Sequence, residues 1–120
     1  MLVRLLYPAF DKPKNNPGYI KAYVPGTREN GGQYTHAATW LAKAYFEFKE
    51  KDKAIEILNM IDPISHSDTQ EKADIYKVEP YVIAADIYSN PEHQGRGGWT
   101  WYTGSAAWMY KVIEDYLGKN

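Results

Sequence analysis

Residues 35–63 read THAATWLAKAYFEFKEKDKAIEILNMIDP, and this stretch decides the architecture. Ala37, Trp40, Leu41, Ala44, Tyr45 and Phe48 recur at three- and four-residue spacing, the interval that lines up side chains along one face of an α-helix. The charged run Lys49-Glu50-Lys51-Asp52 breaks the pattern. Asp52 is a residue type that caps a following helix, and Ala54, Ile55, Leu58 and Ile61 then repeat the spacing until Asp62-Pro63 stops it. Two helices joined by so short a polar break predict an antiparallel helical hairpin.

Working outward toward the C-terminus, Ser65–Glu71 reads as a polar connector. Val78–Tyr88, with Val82, Ile83, Ala84, Ala85 and Ile87, is apolar on most sides. Such a run suits a buried helix or a buried strand, and helix is the expectation here. Asn90–Gly98 is a glycine-rich loop containing Pro91. Ser105–Leu117 predicts a last helix with Trp108, Met109, Val112, Ile113 and Tyr116 inward, closed by Gly118. Toward the N-terminus, Pro8, Pro13, Pro17-Gly18, Pro25-Gly26 and Gly31-Gly32 punctuate residues 1–34, which read as mostly ordered loop. A loop of that length belongs in a small domain when it lines a functional site or packs against something outside the chain. The expected fold class is therefore all-α: four helices, paired as hairpins, with long Gly-rich loops. Ala38-x-Trp40 and Ala106-x-Trp108 open two of the helices in the same way, a weak sign of a hairpin repeat.

Composition narrows the function. The 120 residues suit one domain, and a net charge of −1 offers no electrostatic attraction for nucleic acid. No apolar run is long enough to cross a membrane, so no membrane insertion by this segment is expected. The chain has no cysteine, which removes disulfides, thiolate zinc sites and cysteine nucleophiles and suits a cytoplasmic location. Its eleven Tyr and four Trp against three Phe favour amphipathic rings, as on surfaces that touch sugars.

Two segments run straight into helices and carry chemistry. In Arg28-Glu29-Asn30-Gly31-Gly32-Gln33-Tyr34-Thr35-His36, a cation, a carboxylate and an imidazole precede or enter a first helical turn. There His36 either shares an anion with free backbone N–H groups, or is a satisfied structural histidine behind a Thr35 cap. In Gly95-Arg96-Gly97-Gly98-Trp99-Thr100-Trp101-Tyr102-Thr103-Gly104-Ser105, two hydroxyls and a glycine stand at a helix start. That is either a phosphate cradle with Trp99, Trp101 and Tyr102 lining a sugar site, or a capped helix with core aromatics. His36, His66 and His93 lack metal-ligand spacing, so no metal site is expected. Glu29, Glu79, Asp86 and Glu92 supply carboxylates, and spacing alone pairs none of them across a bond.

Arg28–Trp40, Tyr76–Tyr88 and Gly95–Tyr110 resemble, in order, the C-terminal part of inverting β-glucan phosphorylases of the cellobiose phosphorylase type. They are more similar still to the corresponding region of cyclic β-1,2-glucan synthases, and the likeness covers roughly residues 15–117. The resemblance implies a partial (α/α)6 barrel, with residues 1–120 as a single C-terminal fragment of the catalytic domain. It implies phosphorolysis or glycosyl transfer on β-linked glucans. In the phosphorolytic reaction phosphate attacks the anomeric carbon with inversion, and one protein acid protonates the leaving oxygen. By that likeness His36, Thr103 and Gly104 bind phosphate, and Tyr23, Arg28 and Glu29 bind the transferred sugar. The implied partners are a β-glucan oligosaccharide and phosphate, with inorganic phosphate as co-substrate and no cofactor.

The family's general-acid aspartate lies in a stretch without a counterpart here. No catalytic residue is therefore assigned, and activity of the chain alone is not expected. The exposed faces of an incomplete barrel predict self-association or pairing with the missing portion. The alternative is a tetratricopeptide-like interaction module, suggested by the hairpin itself. A shift of about 34 residues from Trp40 reaches Asp74 in a polar stretch, however, where the repeat fails.

Overall fold

A computed structural model describes residues 1–11, 16–101 and 103–118. Its regular structure is helical apart from one short ladder: α1 Thr35–Glu47, α2 Lys51–Ile61, α3 Gln70–Tyr76 and α4 Gly104–Tyr116, with strands β1 Gln33–Tyr34 and β2 Asp86–Ile87. A 3-10 turn spans Gly18–Ala22, the one helical piece in the otherwise looped N-terminal segment described.

The hairpin of α1 and α2 forms, and α4 packs on α1 as well, so α1 is the middle helix of the layer. Its buried stripe is Thr35, Ala38, Thr39, Ala42 and Phe46. Small residues there let α2 and α4 approach closely, and Ala54, Leu58, Ile61 and Val112 fill the core they share. The large apolar residues expected to face inward sit one helical face away: Trp40 is 53% exposed and Phe48 79%. On α4, likewise, Val112 is buried, Trp108, Met109 and Tyr116 are half-buried and Ile113 is exposed.

Three sequence expectations need correction. Val78–Tyr88 is not a helix but an extended segment containing β2. Its backbone finds partners far along the chain, with Ala85 N–H donating to the Trp99 carbonyl, Tyr88 N–H to Arg96 and Thr35 N–H to Ala85. Those non-local bonds decide a run that is apolar all round and so carries no helical period. Conversely, the polar connector hides the start of α3, where the Thr69 side chain accepts from Lys72 N–H and Lys77 closes the helix in the left-handed region. Finally, Asp52 does not cap α2, which begins at Lys51 and leaves Asp52 inside its first turn. Of the two alternatives for His36, the one behind a Thr35 cap does not form, since α1 begins at Thr35 itself, after Tyr34.

A second small core gathers Tyr76, Ala84 and Ile87 behind the ladder. Burial pushes the Tyr76 phenol up to about 12. His66 stacks on this ring with centroids 5.6 Å apart, and its Nε2 lies 2.7 Å from the Met60 carbonyl. Burial lowers the His66 pKa, so the folded chain holds this proton more weakly than the unfolded chain does. Stability from this group is therefore complete above the ordinary histidine value and is lost as pH falls through the lowered one. The urea midpoint should fall on acidification from neutral pH, and His66→Gln should flatten that acid limb. An unchanged limb in the variant would remove His66 as its cause.

Candidate functional site

The site is built where two helix starts meet one loop. The loop from Tyr23 to Gly32 is held tightly: Thr27 N–H donates to Val24, Gly26 N–H to Asn30, and Gly31 N–H to Leu5. Arg28 at its tip takes φ +45°, a left-handed conformation unusual for a side chain with a Cβ. β1 then pairs antiparallel with β2, Tyr34 opposite Asp86, and the chain turns directly into α1. His36 is consequently presented from the first turn of α1, edge-on to Trp40 at 4.9 Å and tilted against Trp108 at 6.2 Å. The tryptophans of the two similar helix starts thus meet each other, 5.7 Å apart.

α4 delivers the other wall. A Cβ built on Gly104 would stand 3.2 Å from both Cε1 and Nδ1 of the His36 ring, so the helix start reaches the imidazole because that residue has no side chain. Thr103 Oγ1 donates to the Ile83 carbonyl at 3.3 Å and makes no cap bond to its own helix. His36, Thr103, Gly104, Ser105, Arg28, Tyr34, Ala85 and Trp99 line a cavity of about 350 Å³. His36 Nε2, Ser105 Oγ, Thr35 Oγ1 and Arg28 Nε are buried without a hydrogen-bond partner. Buried polar atoms are normally paired. Three of these, on His36, Ser105 and Arg28, belong to residues that line this cavity, and they mark a place where a polar ligand would satisfy them.

A second cleft of about 620 Å³ adjoins the first, lined by Tyr23, Arg28, Asp86, Tyr88 and Trp99 among others. Arg28 bridges the two, with its guanidinium over the Tyr23 and Tyr34 rings at 5.5 and 5.6 Å and its Nε 3.7 Å from Glu29 Oε2. Partial burial works against the cation, yet Glu29, Tyr23, Asp86 and Tyr34 together outweigh it and raise the Arg28 pKa. The charge therefore stays on Arg28 at any ordinary pH.

The structure brings His36, Thr103 and Gly104 into one cavity and Tyr23 and Arg28 into its neighbour. Glu29 lines neither and reaches the site through Arg28. Trp99 lines both, but Trp101 turns away and its Nε1 donates to Glu79 Oε1 at 3.2 Å. Tyr102 lies outside the described residues. His66 and His93 stand elsewhere, and among the described residues no cluster of three or more His, Cys, Asp or Glu groups forms. The residue that sequence reasoning undervalued is Asp86, only 2% exposed. Nothing local singles it out, because its role depends on a ladder between positions far apart in sequence.

The chain matches the Glycosyl hydrolase 94 superfamily, catalytic domain, over residues 1–118, and it belongs to that family. Among curated proteins it is similar to the cyclic beta-(1,2)-glucan synthase NdvB of Rhizobium meliloti (strain 1021), at 53% identity over 98% of this chain and 4% of that protein. It is 26% identical to the N,N'-diacetylchitobiose phosphorylase of Vibrio proteolyticus, over 92% of this chain and 14% of that one. It is equally 26% identical to the solabiose phosphorylase of Paenibacillus borealis, over 93% and 14%. The chain thus spans a small part of the length of each of these relatives. Among the described residues no helix is long and apolar enough to cross a membrane.

Proposed function

We propose that residues 1–118 supply the phosphate-facing and sugar-facing walls of a family 94 active site. In this reading the chain is the C-terminal part of an (α/α)6 barrel that performs phosphorolysis or glycosyl transfer on β-linked glucans. Phosphate sits between the His36 ring, the Gly104 backbone and the Thr103 hydroxyl, with Arg28 offsetting its charge. The transferred sugar packs on Tyr23 and is held by Arg28 and Glu29. Phosphate is its own nucleophile, so the protein's remaining task is to protonate the leaving oxygen, and that acid comes from outside these residues.

The observation that carries this reading is the meeting of His36 with Gly104 at the mouth of a cavity whose buried polar atoms lack partners. Two helix starts there direct N–H groups and the positive dipole ends toward one place, which favours an anion. The similarity to phosphorylases supports phosphate as that anion, and the 53% identity to a cyclic glucan synthase supports a β-1,2-linked glucan as the sugar. The exposed Trp40 and Leu41 of α1, and Phe48 just after it, are then the faces that the rest of the barrel covers. A cytoplasmic location accords with this chemistry.

Titrating the chain with inorganic phosphate and following the Thr103 and Gly104 amides and the His36 ring by NMR tests the reading. Saturable shifts are expected at all three positions. His36→Ala should weaken binding by about tenfold or more, the cost of losing one charge-assisted partner from a desolvated site. A folded chain whose site resonances stay still at high phosphate sinks the anion assignment.

A further inference from the structure

Among the described residues, two line both cavities, Arg28 and Trp99. Both hang on one buried carboxylate. Asp86 Oδ2 accepts the Arg28 backbone N–H at 3.3 Å, and the backbone of Gly98, the residue before Trp99, lies against its Oδ1. The main chain repeats the connection, since Gly98 N–H donates to the Asp86 carbonyl at 2.8 Å and Ala85 N–H to the Trp99 carbonyl at 2.7 Å. A Cβ on Gly98 would come within 2.1 Å of Asp86 Oδ1, so only a glycine lets the segment before Trp99 lie this close to the carboxylate. The Arg28 backbone in turn occupies a left-handed conformation that its side chain disfavours and that an accepting oxygen helps to hold.

We propose that Asp86 is a positioning residue that joins the phosphate and sugar subsites by fixing the backbones of Arg28 and Trp99 to one another. The proposal rests on the subsite reading above and adds a coupling between the two subsites. Its sign separates it from a simple charge effect. A buried negative charge beside an anion site repels the anion, so neutralising it would tighten phosphate binding if charge were all that Asp86 contributed. A positioning role requires the opposite, because the Arg28 guanidinium loses its place.

The test uses the full chain as wild type, Asp86→Asn and Gly98→Ala. The first variant keeps the shape and removes the charge; the second keeps the charge and displaces the carboxylate. In both, amide hydrogen exchange at Arg28 and Trp99 should accelerate while Val112 in the helical core stays protected. Inorganic phosphate and a β-linked glucose disaccharide should each bind roughly tenfold more weakly. Tighter phosphate binding in Asp86→Asn, or unchanged exchange at Arg28 and Trp99 in either folded variant, overturns the proposal. Should the wild type bind neither probe, the subsite reading falls, and exchange at the two amides still decides what Asp86 holds. Should Asp86→Asn fail to fold, Gly98→Ala carries the test alone.

Discussion

Gly26→Ala should collapse the loop that carries Arg28. Gly26 has φ +90°, and an added Cβ would meet Asn90 N at 2.3 Å, Asn90 Cα at 2.6 Å and the Ser89 carbonyl carbon at 2.9 Å. All three are backbone atoms, so no side chain is able to swing aside. Moving them breaks Ser89 N–H to the Gly26 carbonyl, which ties this loop to the segment after β2. Left-handed backbone alone costs a residue with a Cβ about 1–2 kcal/mol, and forced backbone displacement adds roughly 1–3 kcal/mol more. The sum takes a large share of the stability of an ordinary domain, about 5–15 kcal/mol. Gly18→Ala provides the control: Gly18 has φ +79° with nothing within 4 Å of the added Cβ. In denaturant titrations Gly18→Ala should lose only the backbone contribution and Gly26→Ala about twice as much or more. Equal losses would show that the close approach of Asn90 is irrelevant.

Asn30→Ala should cost about 3 kcal/mol, from three hydrogen bonds whose partners are then left unsatisfied. Asn30 is fully buried, with Oδ1 accepting from Phe10 N–H at 2.6 Å and Nδ2 donating to the carbonyls of Phe10 and Tyr23, each at 2.9 Å. Its own backbone closes the Gly26 turn, so one side chain holds the N-terminal segment, Tyr23 and the Arg28 loop together. Asn30→Asp is the sharper probe. It keeps the size but turns two donated bonds into a carboxylate facing two carbonyl oxygens. Burial and that repulsion raise the new carboxyl's pKa in the folded chain. The folded state then binds the proton more tightly than the unfolded state, so Asn30→Asp should be destabilised at neutral pH and partly restored by acid. Thermal unfolding of the variant and the wild type at pH 7 and pH 5 checks this, and a loss relative to wild type that is the same at both contradicts the bond assignment.

The helical hairpin was legible because its determinants are local. A 3.6-residue period with a charged break and an Asp-Pro stop specifies two helices wherever it occurs. Which face they bury was not legible, since α1 carries two apolar faces and the choice of Ala38, Ala42 and Phe46 over Trp40 and Phe48 depends on what packs alongside. The start of α3 was legible in principle, from Thr69 followed by Glu71, and was hidden by the polar residues around it. The strand at Asp86–Ile87 was not, because its partners lie across the ladder and on the Arg96–Trp99 segment.

The site divides in the same way. By itself the sequence determined the chemistry on offer: an imidazole and a Thr-Gly pair at two helix starts, a basic residue beside a glutamate, and an excess of amphipathic rings. It also determined the family, through long blocks of similar residues in the same order. Only the tertiary structure decided that His36 and Gly104 touch, that Arg28 stands between two cavities, and that a buried carboxylate lies beneath it. Residue types and helix starts are properties of short stretches of chain. Contact between positions far apart in sequence depends on how the ladder and the packed helices close the loops that separate them.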